Sequence, residues 1–90
     1  MQINSVSDFR RVYRQGPYAW PGGYPLYFIT DDGAAISFHA AKYHRRDIIE
    51  AIAHKLRDGW RIVAVDVNWE DETLTCDCTG EAIPSAYGDA

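Results

Sequence analysis

"YPLYFITDDGAAISF", residues 24–38, decides the fold. A run of aromatic and β-branched residues meets Asp31-Asp32-Gly33, and a second apolar run follows. Strand formers on both sides of Asp-Gly predict a β-hairpin, because glycine tolerates the positive φ that such a turn needs. The rest of the chain must cover this hairpin. On its C-terminal side, Ile48, Ile49, Ile52 and Leu56 recur at helical spacing, while Lys42, Arg45, Arg46, Glu50 and Lys55 supply polar faces. With Gly59 where a C-cap belongs, this pattern predicts one long helix over about 41–58. "WRIVAVDVNW" (60–69) then reads as a strand, "EDET" (70–73) as a turn and "LTCDC" (74–78) as the returning strand of a second hairpin. On the N-terminal side, Ser7 can cap a short helix, "DFRRVYRQ" (8–15), that buries Phe9, Val12 and Tyr13 and ends at Gly16-Pro17. "GPYAWPGGYP" (16–25) holds three prolines and three glycines, which predicts an ordered aromatic loop. Whether residues 17–25 bind anything is left open. The expected architecture is α+β in the order αββαββ, one domain over residues 1–90.

The helix face, the strand residues Ile62, Val63, Val65 and Val67, and the rings of Trp60 and Trp69 are the expected core. At ~25 cal/mol per Å² of buried apolar surface, such a core just sustains a domain of this size. No stretch reaches the ~20 apolar residues of a membrane span, and the N-terminal residues lack a signal-peptide pattern. The two cysteines, Cys76 and Cys78, stand one residue apart, too close for an ordinary disulfide framework. A reduced, cytoplasmic protein is expected.

Charge divides the chain. All nine Lys and Arg lie in residues 1–61 against six acids, a net +3, whereas residues 62–90 carry seven acids and no base. Such a division fits either a solvated hairpin and tail or a surface shaped to meet a basic partner.

"WPGGYPLYFITDDGAA", "DGWRIVAVDVNWED" and "IPSAYGD" together resemble small zinc-ribbon-like proteins encoded by phages and prophages. In that family a Cys-x-x-Cys pair follows the first hairpin and another follows the "NWED" turn, so that four thiolates grip one zinc. The resemblance places these ligand positions on Ser37, Ala40, Cys76 and Thr79. Three of the four are not cysteine here, which implies a degenerate ribbon without metal or other cofactor, with Cys78 at an intervening position. A Cys-x-Cys in an extended strand points its thiols to opposite faces and suits one ion poorly. The alternative is a remodelled site of His39, His44, Cys76 and Cys78, which would supply the four donors that structural zinc requires.

Catalysis is not expected. Asp31-Asp32 and Glu70-Asp71-Glu72 are explained by turn chemistry, Cys76 lacks a neighbouring cation in sequence, and no phosphate-binding glycine motif is present. Two binding classes remain. The first is protein binding through Asp66, Trp69, Glu70, Asp71, Glu72 and Asp77. Here an acidic surface imitates nucleic acid and occupies a basic host protein or ribonucleoprotein complex, as anti-CRISPR inhibitors do; the phage resemblance implies this class. The second is nucleic-acid binding through Lys42, Arg45, Arg46 and Lys55, with Arg57 and with Tyr43 or Trp20 as stacking rings; a sequence pI near 5.1 opposes it.

Overall fold

The computed structural model describes residues 1–19, 22–71 and 73–86. It is an α+β fold in the order α1 (Val6–Gln15), β1 (Tyr18–Ala19), β2 (Tyr24–Thr30), β3 (Ala35–Ile36), α2 (Phe38–Tyr43), α3 (Arg45–His54) and β4 (Ile62–Val67). β2 is the central strand. β4 runs antiparallel along one of its edges, from Leu26↔Val67 to Thr30↔Ile62, with an irregularity between Ile29 and Thr30. The two short strands share the other edge: Tyr18 and Ala19 pair with Pro25 and Tyr24, and Ala35 and Ile36 pair with Ile29 and Phe28. Residues 1–3 lie along the outer edge of β4, with Ile3 N–H donating to Val63 O and Val65 N–H to Met1 O, both at 2.9 Å.

The first hairpin forms as its sequence predicts, with Gly33 at φ 84° in the turn. Thr30 Oγ1 donates to Asp32 Oδ1 and accepts from Ala34 N–H, closing the turn with side chains. α1 also forms, but its cap is Ser5 rather than Ser7: Ser5 Oγ accepts from Asp8 N–H at 3.1 Å, and Asp8 Oδ2 accepts from Asn4 N–H. The serine two residues earlier wins because Asp8 can then complete a reciprocal cap.

Other expectations are corrected. The long helix over 41–58 is two helices, which part at His44 (φ −108°, ψ 20°) and stop at Lys55, the one described non-glycine residue with positive φ. Neither Gly nor Pro marks the break; it coincides with a tertiary anchor, the His44 ring stacked on Trp60 with centroids 4.4 Å apart. Leu56, beyond the helix end, is exposed, whereas Ile48 and Ile52 are buried as expected. The 16–25 stretch is not loop throughout, since β1 pairs with the start of β2; Trp20 and Pro21 lie outside the described residues. Finally, 74–78 does not return as a partner of β4. Leu74–Ile83 folds on itself through a Thr75↔Ala82 bridge, and β4 pairs with β2 instead.

The core centres on Phe28, whose ring lies 4.2 Å from Phe38 and 5.4 Å from Phe9. Val12, Ile36, Ile48, Ile52, Ile62 and Val65 complete it. Cys76 and Ile83, from the C-terminal hairpin, close one end. Trp60 only packs against this cluster and Trp69 is 44% exposed, so neither is the core ring expected of it. One buried polar side chain holds the C-terminal segment in place. Asn68 Nδ2 lies within hydrogen-bond distance of the carbonyl oxygens of Asp71, Ile83 and Pro84, and Asn68 Oδ1 accepts from Asp71 N–H. No helix among the described residues is long and apolar enough to cross a membrane.

Candidate functional site

The acidic residues separate into one cluster and one outlier. Asp66 faces Tyr27 across the β2–β4 ladder, Trp69 packs its ring on Tyr24 at 4.8 Å, and Glu70 and Asp71 follow in the turn. Asp66, Trp69, Glu70 and Asp71 are all exposed. The Tyr27 hydroxyl is pushed above its usual range by burial first, and then by the negative charges of Asp66 and Asp71, which places both carboxylates near one ring. Asp71 is fixed by Thr73, whose hydroxyl and N–H both reach Oδ1 and hold the carboxyl below its usual value. Asp77 stands apart. Its N–H donates to Ala35 O, and Ala35 pairs with Ile29, five residues along β2 from the Tyr24 that carries Trp69. At ~3.3 Å per strand residue that places it roughly 16 Å along the sheet from Trp69, and β3, to which it is bonded, lies on the opposite edge of β2 from Asp66. Glu72 lies outside the described residues.

Three of the four basic candidates gather. Lys42, Arg45 and Arg46 line one groove with Tyr43, which is 71% exposed, and His54. Lys55 does not join them; it lines a different hollow with Ile3, Ile52 and Ile62.

The alternative metal set is dispersed. His39 packs edge-on against Tyr43, with ring centroids 5.2 Å apart. Cys78 Sγ lies 3.1 Å from His44 Nε2, and His44 Nδ1 lies 3.8 Å from Asp47 Oδ2. Cys76 is buried and accepts from Ser37 N–H at 3.4 Å. Among the described residues no three His, Cys, Asp or Glu side chains converge as a metal site would require. What converges is the other set of positions. Ser37 N–H donates to the Cys76 sulfur, Thr79 lies near enough to that sulfur to lower the pKa of its thiol, and Ser37 Oγ accepts from Ala40 N–H at 3.1 Å. Burial pushes the Cys76 thiol up, but the hydrogen bonds from Ser37 and Thr79 outweigh it and hold the thiol below its usual value.

The contact of Cys78 with His44, 34 residues apart in the chain, joins two members of that alternative set, and Asp47, which the sequence reading does not single out, approaches from the other side of the ring. The arrangement has the order of a nucleophile, base and orienting acid. The Asp47 contact exceeds hydrogen-bond length, and burial followed by the charges of Cys76 and Asp77 raises the Cys78 thiol.

Compared with known protein families, curated proteins and solved structures, the chain matches none.

Proposed function

We propose that the protein is a small, non-catalytic binding protein of phage type. In this reading it acts inside the bacterial host by occupying the basic surface of a nucleic-acid-handling complex. The observation that carries the proposal is the exposed group Asp66, Trp69, Glu70 and Asp71 at one end of the β2–β4 ladder. An aromatic ring seated on Tyr24 offers an anchor, and carboxylates around it supply attraction and orientation toward a cationic partner. The degenerate ribbon belongs to the same proposal. Its support is the meeting of Ser37 and Thr79 on the Cys76 sulfur, where the family would hold an ion.

The test starts with capture from bacterial extract and identification of the partner, followed by binding measured with the purified complex. Asp66→Lys with Glu70→Lys should weaken that binding at least tenfold, ~1.4 kcal/mol, and wild-type binding should weaken as salt rises. Asp71 is left intact because its carboxylate holds the turn. Unchanged affinity in the folded double variant overturns the acidic face.

A second reading is favoured by Tyr43, whose ring is exposed beside Lys42, Arg45 and Arg46. That arrangement suits a stacked base and its phosphates. Salt-dependent binding of single-stranded DNA or RNA that is lost in Tyr43→Ala would favour it over the acidic face.

A further inference from the structure

We infer that the hollow between α1, the start of β2, α2 and the C-terminal hairpin is a binding site for a small amphipathic organic carboxylate. This site is distinct from the acidic face and shares only Lys42 with the groove beside Tyr43. Its volume is about 620 Å³, within the range of pockets that take drug-sized molecules. Tyr13, Leu26, Phe38 and Ile83 form its apolar walls. Tyr13 and Phe38 lie nearly parallel, their planes 6° apart and their centroids 6.4 Å apart, as a flat double wall.

The walls are already formed. Leu26 N–H is bonded to Pro17 O at 2.9 Å, and Asn68 Nδ2 lies 3.2 Å from Ile83 O and 3.0 Å from Pro84 O. A ligand therefore meets backbone that is fixed on both sides, which lowers the ordering cost of binding.

Charge selects the head group. Arg14 of α1 and Lys42 of α2 reach the rim from different elements, and neither takes part in an ion pair among the described residues. One acid, Glu81, opposes them, so the rim is net positive in a chain whose net charge is −4. An apolar hollow walled by Tyr13, Leu26, Phe38 and Ile83, with two cations against one carboxylate, matches a ligand with a hydrocarbon or aromatic body and one anionic carboxylate. A neutral body of the same shape would leave the cations unused, and a polyanion would meet Glu81.

Decanoate, held below its micellar concentration, is the probe, with decanol as the neutral control. Titration followed by backbone amide shifts and calorimetry should show saturable one-to-one binding of decanoate. The shifts should be confined to the neighbourhood of residues 13–18, 25–26, 37–42 and 81–84. Arg14→Ala with Lys42→Ala should weaken decanoate about tenfold while changing decanol less than about twofold. Leu26→Trp, which fills the hollow, should abolish both; Leu26→Met retains the volume and should restore both, which separates occlusion from misfolding. No saturable decanoate binding up to about 1 mM overturns the site, since that affinity is near the weakest a formed pocket of this size should show. Decanoate binding that survives the loss of both cations overturns the head-group assignment, and shifts centred elsewhere overturn the location.

Discussion

The backbone N–H of Ser37 donates to the sulfur of Cys76 across 3.4 Å, joining the N-cap of α2 to a hairpin 39 residues further along the chain. Cys76 is 1% exposed and belongs to the core. Its replacement by alanine therefore removes apolar volume and strips a buried donor of its acceptor. Cys76→Ala should cost about 1–3 kcal/mol, measured by urea denaturation. Cys78→Ala, at an exposed position, should cost less than about 0.5 kcal/mol. Equal losses would contradict the separate surroundings of the two thiols.

The same contact bears on metal. The Cys76 sulfur already accepts from Ser37 N–H in the core, and Cys78 is engaged with His44. Purified protein is expected to contain no stoichiometric zinc and to keep its melting temperature in EDTA. One zinc per chain by elemental analysis, with unfolding on chelation, would require these side chains to rearrange around an ion.

The helical face makes a contrast that one titration series can read. Ile48 and Ile52 are 0% and 6% exposed, whereas Leu56 is 38% exposed. Ile48→Ala and Ile52→Ala should each cost ~2–4 kcal/mol, while Leu56→Ala should cost less than about 1 kcal/mol. A large loss at Leu56 would mean that the helix continues past Lys55.

Asn68 should matter more than its residue type suggests. It is 3% exposed and ties β4 to Asp71, Ile83 and Pro84. Asn68→Ala leaves several backbone groups without partners and should cost about 2–4 kcal/mol. Amide exchange should quicken selectively in residues 73–86. Uniform acceleration over the whole chain would show instead that the anchor is part of the global fold.

Much of this was legible in local sequence, and the misreadings share a cause. The hairpin at 24–36 and α1 are set by neighbours within a few residues, so turn and cap chemistry reveal them. The β-branched apolar run of 62–67 announces a strand but cannot name its partner. Leu74–Cys78 is adjacent in sequence, yet β4 pairs with β2 and sets Phe28 opposite Val65 and Leu26 opposite Val67. The break at His44 rests on Trp60 and Cys78, contacts that no helical periodicity contains. Among site residues, Asp66, Trp69, Glu70 and Asp71 are near in sequence and near in space. Asp77 shares only their charge, and the fold of its hairpin carries it to Ala35.

Acid should act through two turns. Asp32 is held below its usual 3.8 by Thr30 and by Ala34 N–H, and Asp71 by Thr73. Because their native values are depressed, the stability they lend is complete above the unfolded value and is lost as pH falls through the native ones. Between about pH 4 and 2, the urea midpoint of Asp32→Asn with Asp71→Asn should therefore fall less steeply than that of the wild type. Parallel pH profiles would assign acid sensitivity to other groups.

Residues 1–3 have a further consequence, which concerns self-association. Their bonds to Val63 and Val65 occupy the outer side of β4, and on the far rim of the sheet β1 and β3 are only two residues long. Neither rim offers a long row of open amides on which a second copy could template itself. A chain shortened by its first four residues would expose the whole flank of an apolar strand, "IVAVDV", flanked on its N-terminal side by tryptophan and arginine. Residues 1–3 thus cover a strand edge that would otherwise stand open to pairing.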